Sequence, residues 1–172
     1  MGKDKMVTIV IVNYNVKQLL LTCIASIYKY SSDLTLEIIV VDNNSTDGSV
    51  EALRQQFPAV VVVENNFNAG FPAANNQAFA IAKGEYVLML NPDTELKDNA
   101  IEALINCFEK EKDVALMGPR LLNTNGSLQY SAWRFPRIKY IVAEMLYLNS
   151  LIPGKYYLDK DLGKSFCADS LS

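Results

Sequence analysis

Histidine is absent from the 172 residues. Without an imidazole there is no Ser-His-Asp or Cys-His machinery and no HExxH zinc site. Cysteine is scarce. Cys23, Cys107 and Cys167 stand too far apart in sequence for a CxxC redox motif or a zinc knuckle, and three unpaired thiols suit a reducing compartment. Glycine is scattered. The closest pair is Gly118 and Gly126, so neither GxGxxG nor GxxxxGK[ST] can be written anywhere. No apolar run approaches the ~18 residues that span a bilayer. The opening MGKDKM has no apolar signal-peptide core, and Met6 breaks the myristoylation pattern. Positive charge is not in excess. A net charge of −3 argues against holding nucleic acid by phosphate neutralisation, whereas a small phosphorylated ligand needs only local positive potential or a metal.

What is present is enough for a core. Half the residues are hydrophobic and 20% are charged, a balance that folds, and residues 1–172 suit a single domain. Val7 to Val12 is a β-branched run of the kind buried on both faces of a parallel sheet, and it ends at Asn13-Tyr14-Asn15. Leu19, Leu20, Cys23, Ile24 and Ile27 recur at helical spacing up to about Tyr30. A second strand, Leu36 to Val41, stops at the polar stretch Asp42 to Gly48. There Thr46 or Asp47 can cap a helix over Ser49 to Phe57. Ala59 to Val63 predicts a third strand, and Pro72 and Gly84 bracket a third helix. Tyr86 to Leu90 predicts a fourth strand, followed by Asn91-Pro92-Asp93 and a helix over Asp98 to Lys110. Val114 to Met117 reads as a fifth strand, and Asn125-Gly126 as a turn between two short strands. Beyond it lie an aromatic–basic cluster, Trp133 to Arg137, and an apolar helical pattern from Ile138 to Leu151.

Repeated βα units predict an α/β fold: an open, mostly parallel sheet with helices on both faces. Each strand ends in polar residues, and in such sheets ligands bind at the C-terminal strand edge. Asn13-Tyr14-Asn15, Asp42-Asn43-Asn44, Asn68-Ala69-Gly70 and Asn91-Pro92-Asp93 are therefore expected to converge. Taken singly, each has two readings. Asp93 can hold a hard divalent cation, and Asn-Pro-Asp is also common turn chemistry. Asp42 can accept a hydrogen bond from a base N–H or a ribose hydroxyl, or cap the next helix. Tyr14 can stack on a base or close the end of the core. Gly70, followed by Phe71, answers to a positive φ, a close ligand approach or a simple tight turn. Trp133 to Arg137 suits phosphate, a membrane interface or a covering flap.

Taken in order, VTIVIVNYN (7–15), VVDNNSTDGS (41–50), NNFNAGFPAANNQA (65–78) and YVLMLNPDTEL (86–96) resemble the family 2 glycosyltransferases of the GT-A, Rossmann-like fold. The likeness is to the bacterial, rhamnosyltransferase-like branch with an LNPD loop, and it is clear over about residues 7 to 136. It implies a nucleotide-diphosphate-sugar donor, a carbohydrate or lipid-linked acceptor, and a role in building cell-envelope polysaccharide. Tyr14 and Asn15 would lie beside the base. Asp42 would hydrogen-bond it, with Asn43 near. Asn68, Gly70, Phe71 and Asn75 would approach the ribose and diphosphate. Asn91-Pro92-Asp93 occupies the place of the family's DxD motif with Asn91 in place of the first acid, so Asp93 carries over as ligand of a Mg²⁺ or Mn²⁺.

The implied reaction is transfer with inversion, in which a base deprotonates the acceptor hydroxyl as diphosphate leaves. The family's base lies well downstream of the LNPD loop, and neither Asp159, Asp161 nor Asp169 has the matching context. The base is expected beyond residue 172. The chain then reads as truncated: a nucleotide-sugar-binding core over 7–120 and an incomplete acceptor-side start over 121–172. The alternative is a catalytically inactive binding fragment or module without the base. Another α/β chemistry, nucleotidyl transfer, is disfavoured because Asn13-Tyr14-Asn15 stands where a Gly-rich, basic phosphate loop belongs. A cytoplasmic location, peripheral at the inner membrane face, and no nucleic-acid partner complete the expectations.

Overall fold

The computed structural model describes residues 6–111, 113–129 and 145–146. The first elements are β1 (Met6–Asn13), α1 (Lys17–Tyr30), β2 (Thr35–Asp42), α2 (Ser49–Gln56) and β3 (Val61–Glu64). They are followed by α3 (Phe71–Phe79), β4 (Tyr86–Leu90), α4 (Ala100–Lys110), β5 (Leu121–Leu122) and β6 (Leu128–Gln129). The chain divides into two compact units, Met1–Glu102 and Ala103–Ser172.

In the first unit the strand order is β3-β2-β1-β4, and every pairing is parallel. The chain builds outward from β1 to β3, then returns to the other side of β1 with β4. That reversal puts the topological switch point between β1 and β4, where open α/β sheets keep their ligand crevice.

Alternation along the strands sorts the core. Val10, Ile39 and Val41 pack with Ala74 and Ala78 of α3; small residues there let the helix approach the sheet closely. Ile9, Ile11, Ile38 and Val40 point to the opposite face and are just as buried. Helices α1 and α2 pack against each other and bury Leu20, Ile24, Ile27 and Leu53. A strand buried on both faces reads as a continuous apolar run, which is why β1 and β2 show no polar alternation.

In the second unit β5 and β6 form an antiparallel pair around Asn125-Gly126, with Gly126 at φ +80°. Val114–Met117 is not a strand. Leu116 is 83% exposed, and with no described strand paired to it the run has no ladder to hold it extended. Cys23 is a free buried thiol, but Cys107 is disulfide-bonded, so the expectation of three unpaired cysteines fails. The Trp133–Arg137 cluster, Cys167, Asp159, Asp161 and Asp169 lie outside the described residues, as does the 138–151 helix apart from Met145 and Leu146. No helix among the described residues is long and apolar enough to cross a membrane.

Candidate functional site

The register brings Asn13, Asp42 and Glu64 side by side at the C-terminal ends of β1, β2 and β3. Asp42 is only 3% exposed, and both its oxygens are engaged. Asn13 Nδ2 donates to Oδ1 at 2.7 Å, and the Ser45 amide donates to Oδ2 at 2.8 Å. Burying a carboxylate without such donors would cost several kcal/mol. Each oxygen still has a second lone pair, so the carboxylate can accept a donor from a ligand.

Ser45 ties the first two loops together. Its hydroxyl oxygen accepts from Asn13 Nδ2 at 3.1 Å and from the Asn15 amide at 2.9 Å. Asn15 returns the tie by accepting the Thr46 amide on Oδ1 at 2.8 Å. It does so from the left-handed region at φ +53°, a conformation in which Asn is enriched. Asp47 accepts from the Lys17 amide, the Ser49 amide and the Ser49 hydroxyl. Burial raises its pKa, but those hydrogen bonds outweigh it and hold the carboxyl below its usual value. Asp47 thus caps α2 from outside, because the residue at the N-cap, Gly48, has no side chain. Tyr14 sits between these ties and is 50% exposed. It does not close the core, and its ring is accessible.

The remaining expected residues divide by what their side chains do. Asn43 Oδ1 accepts from Asn65 Nδ2 at 2.9 Å, and Asn65 exchanges two bonds with Gln77. Asn43 therefore belongs to an amide chain linking the ends of β2 and β3 to α3. Asn68 Oδ1 receives the Gly70 amide at 2.9 Å, and Gly70 adopts φ +80° with nothing near the place of a Cβ. The glycine is required by the backbone, not by crowding. Asn75 is buried and donates to the Phe71 carbonyl within its own helix, while Phe71 is exposed.

Beyond β4, Leu90 pairs with Ile11, so Asn91 emerges alongside the end of β1. Asn91 and Asp93 are exposed. The Asn91 carbonyl accepts the Thr94 amide at 3.1 Å and the Cys23 thiol at 3.7 Å. Burial, and then the nearby Asp93 carboxylate, push the Cys23 thiol up to about 12; the thiol stays protonated and the acid stands close to it. The described residues hold no cluster of three acidic, cysteine or histidine ligands. Asp93 therefore fits a Mg²⁺-like ion shared with ligand phosphates, which asks one or two carboxylates of the protein, and does not fit an all-protein metal cage.

A separate cleft of about 410 Å³ is lined by Lys17, Ser45, Thr46, Gly48, Glu51, Ala52, Gln55 and Gln56. Its size suits a small molecule, yet it shares only Ser45, Thr46 and Gly48 with the strand-edge loops and contains no expected site residue. Sequence puts Asn13 in a converging strand-end turn but gives neither it nor Ser45 a role of its own; in the structure both hold Asp42. Their signal was position, each being a polar side chain at or just beyond a strand end, but nothing in sequence says that two strand-end side chains will meet.

A family model described as glycosyl transferase family 2 matches residues 8–167. A poly(ribitol-phosphate) β-glucosyltransferase of Bacillus spizizenii is 36% identical over 125 residues, 70% of this chain and 20% of that protein. An N-acetylglucosaminyl-diphospho-decaprenol L-rhamnosyltransferase of Mycobacterium tuberculosis is 26% identical over 119 residues, 63% of this chain and 39% of that protein. Among solved structures, a mannosyltransferase of Pyrobaculum calidifontis in complex with GDP-Man and Mn²⁺ is 30% identical with a TM-score of 0.52, covering 60% of this chain and 31% of that one. S. aureus TarS in complex with UDP shares the fold at 21% identity and a TM-score of 0.55, covering 61% of this chain and 32% of that one. The chain thus spans well under half the length of these relatives. Its parallel sheet is that of the GT-A neighbours, and the chain belongs to glycosyl transferase family 2.

Proposed function

We propose that this chain binds a nucleotide-diphosphate sugar along the C-terminal edge of its sheet and serves sugar transfer, with inversion, to a carbohydrate or lipid-linked acceptor hydroxyl. One observation carries the reading: a buried carboxylate, Asp42, is held by Asn13 and Ser45, and Tyr14, next in sequence to Asn13, is half exposed. A fixed acceptor and an accessible aromatic face suit a nucleobase, which offers an N–H on its edge and a π-surface on its plane. Support for the ligand class comes from the GDP-Man and UDP bound to the two structural neighbours.

On this reading the loop from Asn68 to Phe71 lies against the ribose and diphosphate. Gly70, without a side chain, lets the backbone come close. Asp93, on the loop that begins at Asn91, would hold Mg²⁺ or Mn²⁺, and the ion would supply charge stabilisation for the departing phosphate. The Mn²⁺ of the mannosyltransferase complex supports this. We assign no general base among the described residues, and infer that residues 1–172 alone bind donor without transferring sugar. An acceptor on a lipid carrier would set the reaction at a membrane surface, and flotation of the chain with liposomes tests that contact.

Calorimetric titration with UDP, dTDP and GDP, each with and without Mn²⁺, tests the site. Binding of at least one, strengthened by Mn²⁺ in the wild type and not in Asp93→Ala, is expected. No binding by any nucleotide would overturn the donor-site reading, and Mn²⁺ enhancement that survives Asp93→Ala would overturn the metal assignment.

A further inference from the structure

We propose that Cys23 and Ser26 of α1 are positioning residues for Asp93: they fasten both ends of the Asn91–Leu96 segment to the helix and so set where the carboxylate stands. The inference rests on the reading of Asp93 as a metal ligand and adds the residues that place it.

Segment 91–99 joins β4 to α4 without regular structure. A connection of that kind is ordinarily mobile, yet a metal-binding carboxylate has to be held within a fraction of an ångström of its working position. The structure supplies two ties. At the start, the Cys23 thiol donates to the Asn91 carbonyl at 3.7 Å, the same carbonyl that receives the Thr94 amide and closes the turn around Pro92 and Asp93. At the end, the Leu96 amide donates to Ser26 Oγ at 3.0 Å, and the Leu96 side chain is buried.

Ser26 and Cys23 are linked in turn, Ser26 Oγ donating to the Cys23 carbonyl at 2.7 Å. Their spacing puts them on one face of α1. That face is otherwise apolar: Leu20, Ile24 and Ile27 are fully buried. A serine there is a poor choice for helix propensity or packing, and its hydroxyl is accounted for by the bond it makes to the loop. Both ties go to backbone atoms of the segment. The side chains of Asn91 and Asp93 are left exposed.

The test is calorimetric titration of UDP and GDP, with and without Mn²⁺, on the 172-residue chain as wild type, Ser26→Ala, Ser26→Thr and Cys23→Ala. The readout is the ratio of affinities with and without the ion. A loss of folded protein scales both titrations alike and leaves the ratio unchanged. Ser26→Ala is expected to lower the ratio about fivefold or more, a shift of about 1 kcal/mol on the usual conversion. Ser26→Thr, which keeps the oxygen, is expected to restore it, and Cys23→Ala to lower it less, because a thiol is a weak donor. Should Ser26→Ala not fold, Cys23→Ala carries the test, and amide exchange of Thr94, which donates to the same Asn91 carbonyl, faster than its neighbours in that variant is the supporting result. A wild-type ratio in Ser26→Ala, or in Cys23→Ala where that variant stands in, overturns the positioning role alone. A wild-type chain that binds nucleotide with no Mn²⁺ enhancement overturns the metal reading and this inference with it. A wild-type chain that binds neither nucleotide overturns the donor site itself.

Discussion

The two ends of the proposed site are built differently. At the β1–β2 end the polar side chains themselves are held: the Asn13 side chain and the Ser45 amide grip Asp42, and Ser45 Oγ accepts from the Asn13 side chain and the Asn15 amide. Past β4, the loop is held by its backbone, through Cys23 on Asn91 and Ser26 on Leu96. Asp42 is buried and Asp93 is exposed. The first end is a rigid acceptor that a ligand must fit. The second is an open carboxylate whose place depends on residues of a neighbouring helix. Side-chain deletions should therefore damage the first end directly and the second at a distance.

The largest effect is expected from Asp42→Ala. It removes the acceptor, which strips the Ser45 amide of its partner and leaves Asn13 Nδ2 with Ser45 Oγ alone. Lost charge-assisted bonds are worth about 1.5–3 kcal/mol each, so nucleotide affinity should fall by about 10- to 100-fold. Melting temperature should fall as well, and calorimetry with thermal melts checks both. Asn13→Ala ranks next. The Asp42 carboxylate keeps one protein donor instead of two, and a loss of about 1–3 kcal/mol in unfolding free energy is expected, readable by denaturant titration. If Asn13→Ala were neutral, the rigidity of the first end would be illusory. Asp93→Ala should abolish Mn²⁺ enhancement while leaving stability within about 0.5 kcal/mol, as for other exposed positions; equal damage to stability and binding would erase the contrast between the two ends.

The strands of the sheet are legible because burial on both faces demands unbroken β-branched runs, as in Val7 to Val12. The site is legible as a set of strand-end loops because topology brings those ends together. What sequence does not carry is which polar atoms meet. Asn43, Asn68 and Asn75 look equally available, but the first is bound to Asn65, the second to the Gly70 amide and the third to its own helix. Ser26 looks like one more helical residue, and its bond to Leu96 crosses 70 positions of chain. Val114–Met117 misleads for the opposite reason, since β-propensity without a pairing strand makes no strand.

The smallest expected effects concern pH. Asp47 has its pKa held low by Ser49 and Lys17 against the effect of burial. A lowered folded value contributes stability above the unfolded pKa of about 3.9 and loses it as pH falls through the folded value. Thermal melts between about pH 5 and 2 should show Asp47→Asn with a shallower acid loss than wild type, by a small margin because the group is exposed. Cys23 runs the other way. Its raised pKa means stability fully present below the thiol's unfolded value and lost as pH climbs toward about 12, and Cys23→Ala should flatten that alkaline loss.

The central claim is that nucleotide lies along the strand edge from Tyr14 and Asp42 to Asp93. Amide chemical-shift mapping with UDP and GDP in the presence of Mg²⁺ tests it most directly. The account predicts saturable shifts concentrated at Tyr14, Asn15, Asp42 to Ser45, Asn68 to Phe71 and Asn91 to Thr94. Shifts confined to the cleft of Lys17, Glu51, Gln55 and Gln56 would contradict it.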